Sequence, residues 1–170
     1  MGQRRLLGHS QRCFQWVIRA NIYEDSVMLG AVHGLGMLYA DQSKLGEAEK
    51  MYERALQGKE KALGAEHTST LDTVGNLGLL YADQGKLGEA EKMYERALQG
   101  YEKALGPENV TTYAPALNTN WGLGSVFQSQ GHLAKARIMY SKALVGYVKV
   151  VGNDHPYCQS LRENLRKISP

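Results

Sequence analysis

The fifteen residues from Lys44 to Gly58, KLGEAEKMYERALQG, return letter for letter at Lys86 to Gly100, 42 positions later. An internal period of this size limits the chain to a stacked or radial array, because one such unit cannot bury its own apolar face and needs a neighbour to cover it. The match runs on outside the identical block: YADQ stands at Tyr39 to Gln42 and again at Tyr81 to Gln84, and EKALG at Glu60 to Gly64 and again at Glu102 to Gly106. A third, degraded copy, GHLAKARIMYSKALVGY from Gly131 to Tyr147, lies 46 residues further on and keeps the apolar and small positions while changing most polar ones.

Within a unit the apolar spacing is helical. In SVMLGAVHGLGMLYAD, Val32, Leu35, Leu38 and Tyr39 recur at i, i+3, i+6 and i+7, which predicts a helix over 26–41 that stops at the polar Asp41-Gln42-Ser43. A second helix is expected over 45–63, with Leu45, Ala48, Met51, Tyr52, Ala55, Leu56, Ala62 and Leu63 on one stripe. Glu47, Lys50, Glu53 and Lys61 then lie outside it, and the Glu47/Lys50 and Lys50/Glu53 pairs add a few tenths of a kcal/mol each. Gly64 and Gly106-Pro107 read as C-terminal stops, and the same helix pair recurs over 68–83 and 87–105. The expected fold is therefore all-α, an alpha-alpha superhelix of antiparallel helix pairs forming one elongated body.

The expected divisions are 1–25, the second helix of an incomplete leading unit; 26–64, 65–106 and 107–152, three units; and 153–170, a half unit acting as a capping helix. The leading segment carries Leu6, Leu7, Cys13, Phe14, Trp16, Val17 and Ile18, and would leave an open apolar edge able to self-associate. The third unit holds four extra residues within VTTYAPALNTN, interrupted by Pro115, so a longer loop or an extra turn is expected before a helix over 116–129. Helices over 133–151 and from His155-Pro156 to Ile168 follow. Gly36, Gly78 and Gly124 recur in mid-helix, where glycine costs about 1 kcal/mol against alanine, so close helix approach is expected there with Ala48, Ala90 and Ala136 as the small partners.

Several function classes are disfavoured. The formal net charge is +3 with charges of both signs interleaved, so nothing marks a nucleic-acid binder. No run reaches the roughly 18 apolar residues of a membrane span, and MGQRRLLGHS lacks the apolar core of a secretory signal. Two separated cysteines, Cys13 and Cys158, read as reduced thiols of a cytoplasmic protein. The five histidines match no ligand spacing; His67 and His155 sit in turns between units, where a ring can satisfy loose backbone groups. Glu47, Glu49 and Glu53 have basic neighbours rather than an apolar pocket, the regular tyrosines read as core spacers, and GxxxxGK[ST] is absent. Neither an enzyme, a metal nor a cofactor is indicated.

Gly78, Tyr81, Ala90, Tyr94 and Ala97 follow one another as in the tetratricopeptide repeat, which the chain resembles over residues 26–168. LYADQGKLGEAEKMYERAL at Leu80 to Leu98 and GAEH at Gly64 to His67 are similar to the 42-residue units of kinesin light chains, and RRLLGHSQRC resembles the entry into the repeat arm of fungal NLR-like receptor ATPases. The resemblance implies a protein or peptide partner, whether for a recognition arm of a larger protein or for a cargo adaptor. It also implies a groove lined by the first helices, at His33, Met37 and Asp41, then Asp72, Gly75, Leu79 and Asp83, then Trp121, Ser125 and Gln128. The lysines and asparagines with which the family clamps a carboxylate are not at these places. Trp121 is expected either to point into the groove or to pack on the insertion, and the aspartates suit a peptide with apolar side chains and a basic residue.

Overall fold

The structure, a computed structural model, describes residues 26–169. Among the described residues seven α-helices follow one another: α1 Ser26–Asp41, α2 Leu45–Leu63, α3 Thr68–Asp83, α4 Leu87–Asn109, α5 Ala114–Ser129, α6 Leu133–Val151 and α7 Pro156–Lys167. The expected leading helix, its apolar edge and Cys13 lie outside the described residues. Each first helix (α1, α3, α5) packs on the second helix that follows it, and each second helix packs on the first helix of the next unit. The first helices also touch across units, α1 with α3 and α3 with α5, and so form the inner layer of a solenoid.

The helix ends follow from local chemistry. Gly64, Gly106 and Gly152 close the second helices at φ 96, 79 and 87, a left-handed conformation that a Cβ would oppose. Gly106 lies inside the span of α4, so the residues after it form a separate turn beginning at Pro107, followed by a 3₁₀ turn Val110–Thr112. The four extra residues are thus an added turn rather than an open loop. Helix α5 starts at Ala114, two residues before the expected place, because Pro115 fits its first turn, where a missing N–H costs nothing. His67 and His155 cap α3 and α7: each Nδ1 accepts the backbone N–H two residues on, from Ser69 and from Tyr157, at 3.2 Å.

Within every unit the two helices interlock reciprocally. The mid-helix glycines face aromatic rings, not the alanines expected as partners. A Cβ on Gly36, Gly78 or Gly124 would stand 2.7, 2.8 or 2.7 Å from Cδ1 of Tyr52, Tyr94 or Tyr140. In return Leu29, Leu71 and Leu117 on the first helices press on Gly58, Gly100 and Gly146 of the second. Ala48, Ala90 and Ala136 are fully buried beside these contacts. Two large knobs enter two vacant positions in each unit, which fixes the helix pair in register.

Two expectations of the stripe on α2 are corrected. Ala62 and Leu63 are exposed, and Lys59 is buried in the place that Tyr101 and Tyr147 hold in the other units. The Lys59 side chain turns toward α3, where its ammonium donates to the Ser69 carbonyl and to Thr73 Oγ1. The acidic residues of α2 also do more than face water: Glu49 accepts from Gln84 Nε2 at 2.9 Å and Lys86 Nζ at 3.4 Å, and Glu60 pairs with Arg96, so these carboxylates link successive units. The capping half unit is seated by Leu161 and Ile168, both buried, and by Cys158, whose thiol points to the Gly152 carbonyl at 3.3 Å.

Candidate functional site

A groove of about 850 Å³ runs along the inner helices. Its shape follows from unequal side chains at equivalent positions. His33, Gly75 and Trp121 occupy the same place in successive units, so the middle unit leaves a depression between two rings. The next row, one helical turn on, is Met37, Leu79 and Ser125; Met37 and Leu79 are 48% and 53% exposed, apolar surface without a partner. Asp72 and Asn118 share a third register position, and Asp83 and Ser129 a fourth. Eight of the ten positions named from the sequence line this groove. Asp41 is exposed at the end of α1 and Gln128 is half-buried, its Oε1 accepting from the Tyr140 hydroxyl at 2.8 Å; neither lines it.

Trp121 meets both expected descriptions only in part. It lines the groove, but it packs on Tyr147 of α6 and Tyr157 of α7, with centroids 6.4 and 6.0 Å away, and not on the insertion. Tyr147 and Tyr157 are themselves 5.2 Å apart, so the capping helix completes an aromatic wall. Sequence reasoning missed this because the register that aligns His155 with His67 sets Tyr157 against Ser69, a small residue that gives no sign of a ring there.

The floor is polar and its hydrogen bonds are ordered. Asp72 Oδ1 accepts from the Tyr101 hydroxyl at 2.7 Å and the Tyr113 hydroxyl at 3.4 Å, and Asn118 Oδ1 accepts from the Tyr147 hydroxyl. Burial, then the Asp72 charge, pushes the Tyr101 phenol well above its ordinary range, so it stays a donor. The difference between Lys59 and Tyr101 in two otherwise matching copies was the available signal for this tyrosine.

At the other end of the groove His33 belongs to a chain of donors whose direction can be read. The Asn76 amide donates to His33 Nε2 at 3.0 Å, so the ring proton is on Nδ1 and is donated to Thr73 Oγ1, also at 3.0 Å. The same Oγ1 accepts from Lys59 Nζ at 3.0 Å, while the Thr73 hydroxyl donates to the Ser69 carbonyl. Every group here is satisfied only while the imidazole is neutral. Burial and the nearby Lys59 ammonium hold His33 at about 4, below its ordinary 6.5. Burial alone raises the Asp83 carboxyl, and no ion pair reaches Asp83 among the described residues. Among the described residues no lysine or arginine lines the groove, so the charge they bring to it is that of Asp72 and Asp83.

Among the described residues no group of three or more His, Cys, Asp or Glu is placed to hold a metal ion, and no helix is long and apolar enough to cross a membrane.

Tetratricopeptide repeat models match residues 28–103 and residues 122–157. No curated protein matches the chain. Among solved structures, BtubC (BKLC) from P. vanneervenii superposes with a TM-score of 0.81 at 20% identity over 95% of this chain, which spans 65% of that structure's length. Two structures of a Podosopora anserina putative kinesin light chain with nearly identical TPR-like repeats are also similar. One, carrying a single Gln-to-Met substitution in its own sequence, has a TM-score of 0.75 at 18% identity, covering 97% of this chain and 76% of that one. The other has a TM-score of 0.71 at 21% identity, covering 97% and 81%. At such identities the likeness is one of fold, a fold generally used as an interaction scaffold and not for catalysis. Two model matches that together take in well over half of the residues, on helix pairs stacked as described, make this chain a member of the tetratricopeptide repeat family.

Proposed function

We propose that the chain is a protein-recognition module whose inner groove takes an extended peptide segment bearing apolar side chains and a basic residue, as the repeat arm of a longer polypeptide. One observation carries the reading: exposed Met37 and Leu79 stand in a groove that holds two carboxylates and, among the described residues, no cationic side chain. Apolar surface offers burial worth about 25 cal/mol per Å², and Asp83 offers a charge for a lysine or arginine to meet. The opening RRLLGHSQRC supports attachment to a larger receptor.

Panning a displayed random-peptide library against the chain tests this. Enrichment of peptides combining apolar and basic residues, with at least tenfold weaker binding to Leu79→Asp and to Asp83→Lys, is the expected result. Peptides without basic residues, or binding indifferent to both substitutions, would overturn it.

A cargo adaptor of the kinesin-light-chain kind is the second reading, favoured by near-identical copies here and in the Podosopora structures. The parent reading frame separates the two: a phosphate loop marks the receptor, a heptad coiled coil the adaptor.

A further inference from the structure

The charge of the chain is unevenly spread. Residues 26–131 carry nine Lys and Arg against thirteen Asp and Glu, whereas residues 132–169 carry seven against two. The change is concentrated on α6, whose 19 residues include no Asp or Glu. Where α2 and α4 have Glu47 and Glu89, α6 has Lys135; where they have Lys50 and Lys92, it has Ile138; where they have Gln57 and Gln99, it has Val145. Ile138 and Val145 are 53% and 56% exposed. A helix that needed only a wetted outer face would have kept the charges of its two predecessors.

Two of these substituted positions, Lys135 and Ile138, border a second groove, of about 410 Å³, on the outer side between α4 and α6. Its floor is Leu98, Leu123, Phe127 and Met139, with Lys135, Ile138 and Lys142 along one rim. The Lys135 ammonium stands 4.9 Å over the Phe127 ring, and neither Lys135 nor Lys142 has an ion pair among the described residues. The equivalent of Lys142 one unit earlier, Arg96, does have one, with Glu60. An apolar trough flanked by cations without counterions is complementary to one kind of occupant.

We infer that this outer groove of the third unit is a docking site for an acidic segment of a partner protein, whose apolar side chains fill the trough while its carboxylates meet Lys135 and Lys142. A bilayer surface fits less well. The floor residues Leu123 and Phe127 are buried, recessed rather than protruding, and Glu95 on the opposite rim keeps the carboxylates of the occupant to the Lys135 and Lys142 side.

The site is separate from the inner groove and stands whether or not that one binds. The same library selection tests it, scored for peptides combining apolar and acidic residues. Those peptides should bind at least tenfold more weakly to Ile138→Glu and to Lys142→Glu, weaken with added salt, and be unaffected by Leu79→Asp. Both substituted positions are exposed, and circular dichroism of each variant checks that the fold is kept. The inference fails if no acidic peptides are enriched, if they bind both rim variants as well as the parent, or if phosphatidylserine vesicles bind through the same lysines while peptides do not.

Discussion

The ring of Tyr94 lies against the vacant side of Gly78, so close that a methyl group there would stand 2.8 Å from Cδ1. Tyr94 is 3% exposed, and its hydroxyl end is held against Gly122 of the next unit. Gly78→Ala should therefore destabilise by about 1 to 3 kcal/mol through overpacking, against the small gain in helix propensity. Gly88→Ala is the control: nothing lies within 4 Å of its added Cβ, and it should be neutral or stabilising by up to about 1 kcal/mol. Urea unfolding of both variants measures the difference, and equal midpoints would mean that ring and glycine do not touch.

The proton relations at His33 give a pH dependence. Its folded value, about 4, lies below the 6.5 of the free side chain, so between those values the unfolded chain binds more protons than the folded one. Stability from this group is complete above pH 6.5 and declines as the pH falls toward 4, by roughly 2 to 3 kcal/mol. His33→Gln should flatten that part of the stability curve relative to the parent.

Lys59 is coupled to that titration. Its burial lowers its own pKa, and its charge lowers that of His33. Lys59→Met leaves the Ser69 carbonyl with the Thr73 hydroxyl as a donor, and should be neutral or stabilising by about 1 kcal/mol, since a buried ammonium without a bonded carboxylate is costly to desolvate. His33, followed by NMR, should then titrate closer to 6.5; an unmoved value would separate the two residues.

The histidine caps predict a smaller effect. His67→Ala removes the acceptor for the Ser69 N–H at the start of α3 and should cost about 0.5 to 1 kcal/mol, while His67→Asp should restore it. Thermal melts of the two variants compare them directly.

Most helix ends were legible because the copies punctuate one another: a glycine recurring after each second helix and a polar turn after each first helix leave little choice of boundary. The inner positions were legible for the same reason, since a register assigned to one unit transfers to the next. What could not be read were contacts that depend on distance and not on spacing. An alanine and a tyrosine four residues apart are equally eligible to face Gly78, and only the three-dimensional path brings the ring there. Lys59 was left off the stripe of α2, although its equivalents Tyr101 and Tyr147 marked the position as internal. The groove wall from Tyr157 was hidden because its equivalent in the earlier copy, Ser69, is too small to signal an aromatic contact.

That lysine bears on a hazard peculiar to nearly duplicate segments, the chance that one takes the seat of another during folding. With α4 seated where α2 belongs, the Tyr101 phenol would stand over Gly30, the equivalent of Asp72, and lose the carboxylate that it meets in its own place. That seating leaves a core hydroxyl without its carboxylate, so one codon's difference between two otherwise matching second helices acts as an address that helps keep them in their proper order.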